Sequence, residues 1–482
     1  METNDHIPLT VELQQALTTE QAWHYGIVPK SSENGVLELY IDRGGWKSGM
    51  EEELEVLLGK QVTLVKSDPA VIRKTLSKYY LRNGRTNGAH AKVQSLSAKQ
   101  GDDFLPSLIA EAKQLGSSDI HIECYEDRCR VRIRIDGLLV ERYSVGKTEY
   151  PALVNKIKIR ANLDIAEKRL PQDGRIFFQQ EGMKFDIRVS VLPTLHGEKV
   201  VLRLLSNDAT NIDIRTLGFT ERQLSDYLEG VKKPHGILLI SGPTGSGKTT
   251  SLYATLKLLN KETTNIVTVE DPIEYTLEGI NQVQLKESIG LNFAGALRTF
   301  LRQDPDIIML GEIRDGETAQ MAIRAALTGH LVLSTIHTNS AWGTISRLVD
   351  MGVPPFLIAG TLNTSVAQRL VRLLCPHCKN ETAFTADLLP RSYKLPRNLE
   401  KHFVPVGCPE CFYTGYRGRK AIYEIIPVDP ELAEKIRGNE PQVAQMLKER
   451  KITTLSENAF RLLESGETSA DEVYSILFNS YS

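Results

Sequence analysis

Along this chain the hydrophobic positions change period several times, and each change predicts a different kind of element. Residues 7–80 mix short amphipathic helical pieces with alternating stretches such as Val36-Leu37-Glu38-Leu39-Tyr40, which predicts a small α+β unit. Residues 104–115 carry helical spacing, and then 119–123 and 129–135 alternate charged side chains with Ile and Val, as a half-buried antiparallel sheet does. From about residue 216, short unbroken apolar runs at 236–240, 265–269, 307–310 and 331–335 alternate with helical segments. That order predicts a parallel sheet covered by helices, with ligands at the carboxyl ends of the strands.

The polar residues fall where that rule wants them. After the first run comes Gly242-Pro243-Thr244-Gly245-Ser246-Gly247-Lys248-Thr249, followed by a helical segment from Thr250. Glycines there let successive backbone N–H groups turn toward one anion, Lys248 can reach terminal phosphates, and the Thr249 hydroxyl can ligate Mg²⁺. Residues 242–250 are therefore the expected nucleotide-binding set, closing with Thr250. After the second run stands Glu270-Asp271-Pro272-Ile273-Glu274-Tyr275, after the third Gly311-Glu312-Ile313-Arg314-Asp315, and after the fourth His337-Thr338-Asn339. Carboxylates at strand ends hold Mg²⁺ or orient an attacking water, as phosphoryl transfer requires. Upstream, Arg169, Arg175, Arg188 and Arg203 are candidates for stabilising the charge that develops in that transfer.

A length of 482 residues suggests about three domains. With 58 basic and 60 acidic side chains the formal charge is -2, so no global field steers the chain to nucleic acid or anionic lipid. The start is acidic and polar, and no apolar run approaches the roughly 18 residues that span a bilayer. A soluble cytoplasmic protein is expected. Arg73 to Lys92 holds six basic residues, no acid and two Asn-Gly pairs, and reads as a flexible basic linker.

Six cysteines are few for this length. Four of them, Cys375, Cys378, Cys408 and Cys411, form two C-x₂-C turns, the spacing of a tetrahedral Zn²⁺ site. Cys124 and Cys129 flank an expected turn and read as two ordinary thiols in a reducing compartment.

Together these segments resemble the secretion ATPase superfamily that powers type II secretion and type IV pilus assembly. The resemblance runs from about residue 102 to the C-terminus. It rests on residues 118–123, 169–175, the phosphate loop, 270–275, 297–315, 328–339, 368–371 and both cysteine pairs. It implies a RecA-like core of mostly parallel sheet (208–372), preceded by a PAS-like α+β domain bearing the arginines (102–207). A small α+β N-terminal docking domain (1–82), a linker (83–101), an inserted zinc lobe (373–425) and a C-terminal helical segment (426–482) complete the expected organisation. By the same resemblance Glu274 polarises the attacking water, and Glu312 supports Mg²⁺ with Thr249. His330 and His337 belong to a histidine box that senses the γ-phosphate or contacts a neighbouring domain, and Arg175, Arg188 and Arg203 reach the nucleotide.

The resemblance further implies a homohexamer that uses ATP, Mg²⁺ and Zn²⁺. It would sit peripherally on the cytoplasmic face of an inner membrane, docked on a membrane protein's cytoplasmic part and acting on a polytopic platform. Retraction motors typically lack the cysteine module and the extra N-terminal domain, so the assembly and secretion branch is expected; a DNA-uptake pseudopilus motor is the alternative. The N-terminal stretch lacks the Arg-Leu-Gly opening of relatives that bind a cyclic dinucleotide, and that ligand is not expected. A nucleic-acid motor is disfavoured by the near-neutral charge. A GTPase is disfavoured because Asn260-Lys261-Glu262-Thr263 departs from Asn-Lys-x-Asp, and a non-catalytic scaffold because Lys248, Thr249, Glu274 and Glu312 are all present.

Overall fold

The computed structural model describes residues 7, 9, 13, 16–17, 19–33, 36–42, 46, 49–58, 60–80, 94–95, 104–180, 182–205, 212–440 and 443–478. The chain divides into two compact units, residues 1–88 and 89–482. In the first, Ile27–Glu33 pairs antiparallel with Val36–Asp42, which pairs parallel with Gln61–Ser67. Strict alternation buries Leu37, Leu39 and Ile41 against helices Met50–Leu58 and Pro69–Tyr79. The helix Pro69–Tyr79 corrects the expectation of a linker beginning at Arg73: Ile72, Leu76 and Tyr80 recur at helical spacing and are buried. Of the expected linker, only Gln94–Ser95 is described, as a short strand; its other residues lie outside the described ones.

Among the described residues, the second unit contains two seven-stranded sheets. In the first, strands from Asp119–Cys124 to Gly197–Leu204 pair antiparallel, and helices Phe104–Gln114 and Tyr150–Arg160 cover one face. Ile120, Ile122, Val131, Ile133, Val189 and Val191 point to those helices. The other face is charged, as the alternation predicts. Cys124 and Cys129 are directly opposite across a hairpin.

The second sheet runs Asn281–Gln284, Ile266–Glu270, Ile307–Leu310, Leu331–Ile336, Gly236–Ser241, Leu362–Leu374, Tyr416–Pro427. All neighbours are parallel except the last pair. Every residue of the four strands 266–270, 307–310, 331–336 and 236–241 is buried, because helices lie on both faces. These four are consecutive in space, so the loops that follow them stand side by side along one edge of the sheet. The strand Tyr416–Pro427 revises the expected zinc lobe. Residues 416–425 belong to the core sheet, paired with Leu362–Leu374, and the cysteines close the far end of that pair.

Candidate functional site

The phosphate loop leaves the buried strand Gly236–Ser241 and enters the helix Lys248–Leu259, whose N-cap is Gly247 in the left-handed region, with no side-chain cap. A side chain at Gly242 would lie 2.5 Å from the Gln368 carbonyl, and one at Gly247 2.9 Å from Gln368 Nε2. Glycine is therefore required by space as well as by φ at Gly242, and by φ at Gly247. Ser246 Oγ is buried with no hydrogen-bond partner, while Thr244 and Thr249 are exposed. An uncapped helix start, an orphaned hydroxyl and exposed threonines fit a polyanion with its cation.

Lys248 Nζ donates to the carbonyls of Gly242 (2.7 Å) and Pro243 (3.0 Å). Burial pushes its ammonium down to about 8, against the pull of the neighbouring Glu312 carboxylate. Glu312 lies two residues beyond the adjacent-but-one strand, Ile307–Leu310. Burial works against its charge, but an ion pair with Arg314 and His337 Nε2 at 3.3 Å hold its carboxyl below the usual range. Arg314 also lies 3.6 Å from Asp271, tying together the loops after two neighbouring strands. Sequence reasoning missed Arg314 because an arginine two residues after an acid carries no signal of its own.

The two histidines separate. His337 stands at the carboxyl end of its strand beside Glu312, whereas His330 precedes the same strand. His330 Nδ1 lies 2.9 Å from the Ala325 carbonyl, and its own carbonyl accepts the Gly236 N–H at the strands' amino ends. Six strand residues, about 20 Å, lie between His330 and the loop end, so within one chain His330 does not share the phosphate site.

Glu270, the first acid of its segment, is buried and satisfied. It accepts from Tyr253 Oη, Thr268 Oγ1 (2.6 Å) and Gln282 Nε2 (3.1 Å). Tyr253 Oη is 3.4 Å from the Glu274 N–H, and Gln282 holds Leu277 N–H and the Tyr275 carbonyl. Glu270 therefore steadies the loop that carries Glu274. Glu274 itself is partly exposed and lies 3.6 Å from Arg188, which also donates to the Ile273 carbonyl.

Arg188 connects the two sheets. It stands directly opposite Arg175 on one side and Arg203 on the other, and Arg203 stands opposite Asp119, with which it pairs at 3.0 Å. The three arginines line a cavity of about 580 Å³ with Pro272 and Gln284 of the core. Arg169 is outside this row, exposed and paired with Glu167.

At the end of the strand pair, the Cys375 and Cys408 sulfurs are 3.8 Å apart, as are, at 3.7 Å, Cys378 with Cys411 and Cys408 with Cys411. A tetrahedron with metal–sulfur bonds of about 2.3 Å has edges of about 3.8 Å. Backbone N–H groups of Gly407 and Gly415 point at Cys378 and Cys411 sulfurs, both at 3.3 Å. This donor set is compatible with zinc.

Residues 98–475 match the family described as Type II/IV secretion system protein. The chain belongs to that family. This secretion-system chain is 50% identical over 340 residues to type II secretion system protein E of Klebsiella pneumoniae, over 70% of this chain and 68% of that protein. It is 43% identical over 453 residues to the type IV pilus assembly ATPase PilB of Myxococcus xanthus, over 88% and 79%. The pilus retraction motor PilT with bound ADP superposes with a TM-score of 0.53 at 26% identity, over 77% of this chain and 96% of that one. The ATPase DotB of Legionella pneumophila shares the fold, with a TM-score of 0.61 at 22% identity over 80% and 99%. The secretion-system chain is thus a nucleotide-binding ATPase with a RecA-like core. Among the described residues, no helix is long and apolar enough to cross a membrane.

Proposed function

We propose that this ATPase binds ATP on residues 242–250 and hydrolyses it with Glu274 orienting the attacking water. It would thereby drive type II protein secretion or the assembly of a type IV pilus-like filament. The observation that carries this reading is the reach of Arg188 across to Glu274, beside a cavity lined by Arg175 and Arg203. A cationic row facing the water-positioning carboxylate is what a phosphoryl-transfer transition state needs.

Each residue then has a task. The loop N–H groups and Lys248 hold the phosphates, and Ser246 Oγ gains its missing partner there. Thr249 and Glu312 would hold Mg²⁺, which neutralises phosphate charge when bound. Arg314 and His337 keep Glu312 ionised. Closure of the arginine-bearing sheet on the core excludes water from the cavity, and reopening supplies the stroke. Cys375, Cys378, Cys408 and Cys411 would hold a structural Zn²⁺, the two core strands being clamped at their ends.

Family membership supports a homohexameric ring, peripheral on the cytoplasmic face of the inner membrane, with the N-terminal unit docked on a membrane protein's cytoplasmic part. The ring would act on a polytopic platform rather than on nucleic acid. The broader span of the match to PilB favours filament assembly as much as protein secretion. Glu274→Gln tests the chemistry: nucleotide binding by equilibrium dialysis is retained while turnover falls at least ~100-fold. Unchanged turnover removes Glu274 from this role.

A further inference from the structure

Two sets of contacts join the arginine-bearing sheet to the core. The first is Arg188 on Ile273 and Glu274. The second is three strands away, at the turn joining Cys129–Ile135 to Leu138–Val145. There Asp136 Oδ2 accepts the Gly418 N–H at 2.6 Å, and its Oδ1 lies 3.7 Å from Arg419 Nε. The Arg142 guanidinium, held by Glu111, sits 5.4 Å over the Phe412 ring.

Both docking points on the core side are set by the cysteine module. Phe412 follows Cys411 immediately and has φ +51°, a left-handed conformation forced by the tight Cys408–Cys411 knuckle. Gly418 is the third residue of the strand Tyr416–Pro427 that leaves the module, three residues after Gly415, whose N–H points at the Cys411 sulfur. On the sheet side, Asp136 and Gly137 have φ of 48° and 86°, the pair a two-residue hairpin turn demands. A rigid turn thus meets a rigid knuckle.

We propose that the tetracysteine module is a brace for the arginine-bearing sheet, with Asp136 as the positioning residue that lets it keep Arg188 at Glu274. The part played by zinc rests on the metal reading above; the docking itself rests on the contacts. Gathering the four thiolates fixes Phe412 and Gly418, and these fix the Asp136 turn. Scattering them frees that turn and lets the arginine row drift from the carboxylate, with no change in the phosphate loop.

The full-length protein tests this with Asp136→Gly, which keeps the positive-φ turn and deletes the acceptor. Amide hydrogen exchange of residues 129–145 is followed with and without a zinc chelator, beside metal analysis and ATPase kinetics. In the wild type, chelation is expected to speed exchange in this hairpin as well as in 375–415. In the variant, hairpin exchange is already fast and chelation adds nothing, a non-additivity that marks direct coupling. The variant's kcat falls about five-fold, the factor one lost hydrogen bond supplies, with KM for ATP within about two-fold. Chelation that speeds 375–415 and leaves the wild-type hairpin unchanged overturns the brace. So does an Asp136→Gly protein with wild-type exchange and kinetics. Wild-type protein that contains no zinc overturns the metal reading alone, because the variant's own exchange and kinetics still decide the docking.

Discussion

In the core sheet the four strands that lead to the phosphate site are buried on both faces, so functional groups appear only in the loops beyond the strand ends. In the preceding sheet one face stays open, and Arg175, Arg188 and Arg203 stand opposite one another across three strands. The first arrangement writes function as short runs of sequence, since each loop is continuous. The second writes it across strands whose arginines lie more than a dozen residues apart in the chain, where no run exists to be read. The two meet where Arg188 pairs with Glu274.

Breaking that meeting point has the largest expected effect. Arg188→Ala lowers ATP turnover at least ~100-fold, since one arginine on a phosphoryl-transfer transition state is worth that much or more. Arg203→Ala, already engaged by Asp119, lowers it less. Equal losses from both in steady-state assays would mean the row acts as a diffuse field rather than through one contact. Next in size is the metal. Cys375→Ser with Cys408→Ser is expected to abolish zinc retention and lower the melting temperature of the second unit by several degrees. Full zinc content by atomic absorption would refute the tetrahedral site.

The smallest expected effect concerns the open face itself. Glu123 is nearly buried there; burial opposes its charge, but Arg132 and Arg130 hold its carboxyl at about 2, below the usual 4.5. The folded state favours its ionised form, so its contribution is present above pH 4.5 and is lost as pH falls through about 2. Glu123→Gln lowers thermal stability at pH 7, and the gap between variant and wild type narrows between those two values. A gap that persists at pH 2 would assign the loss to packing.

The same contrast explains which parts of the molecule are legible in its sequence. Gly242 to Thr249, the 270–275 segment, Glu312 and the cysteine pairs are legible because each loop or knuckle needs particular residues at fixed spacing. The alternation at 119–123 and 129–135 betrays the antiparallel sheet for the same reason. The register that aligns Arg175, Arg188 and Arg203 is not legible, because pairing is settled by packing between strands rather than by any strand alone. His330 and His337 are close in sequence, yet a six-residue strand carries them to opposite ends, so of the two only His337 stands beside Glu312. Arg73 and its neighbours suggest a linker by charge, while the helix follows the buried Ile72 and Leu76.

The helix Lys248–Leu259 does more than start the phosphate site. Its first residue is the lysine proposed to hold the phosphates, and its sixth, Tyr253, anchors both Glu270 and the backbone of Glu274. These two positions are about 7.5 Å apart along a rigid rod. The two ends therefore move as a single piece, so the distance from Lys248 to the loop that carries Glu274 is machined into the part. What remains adjustable in this motor is how close the arginines come.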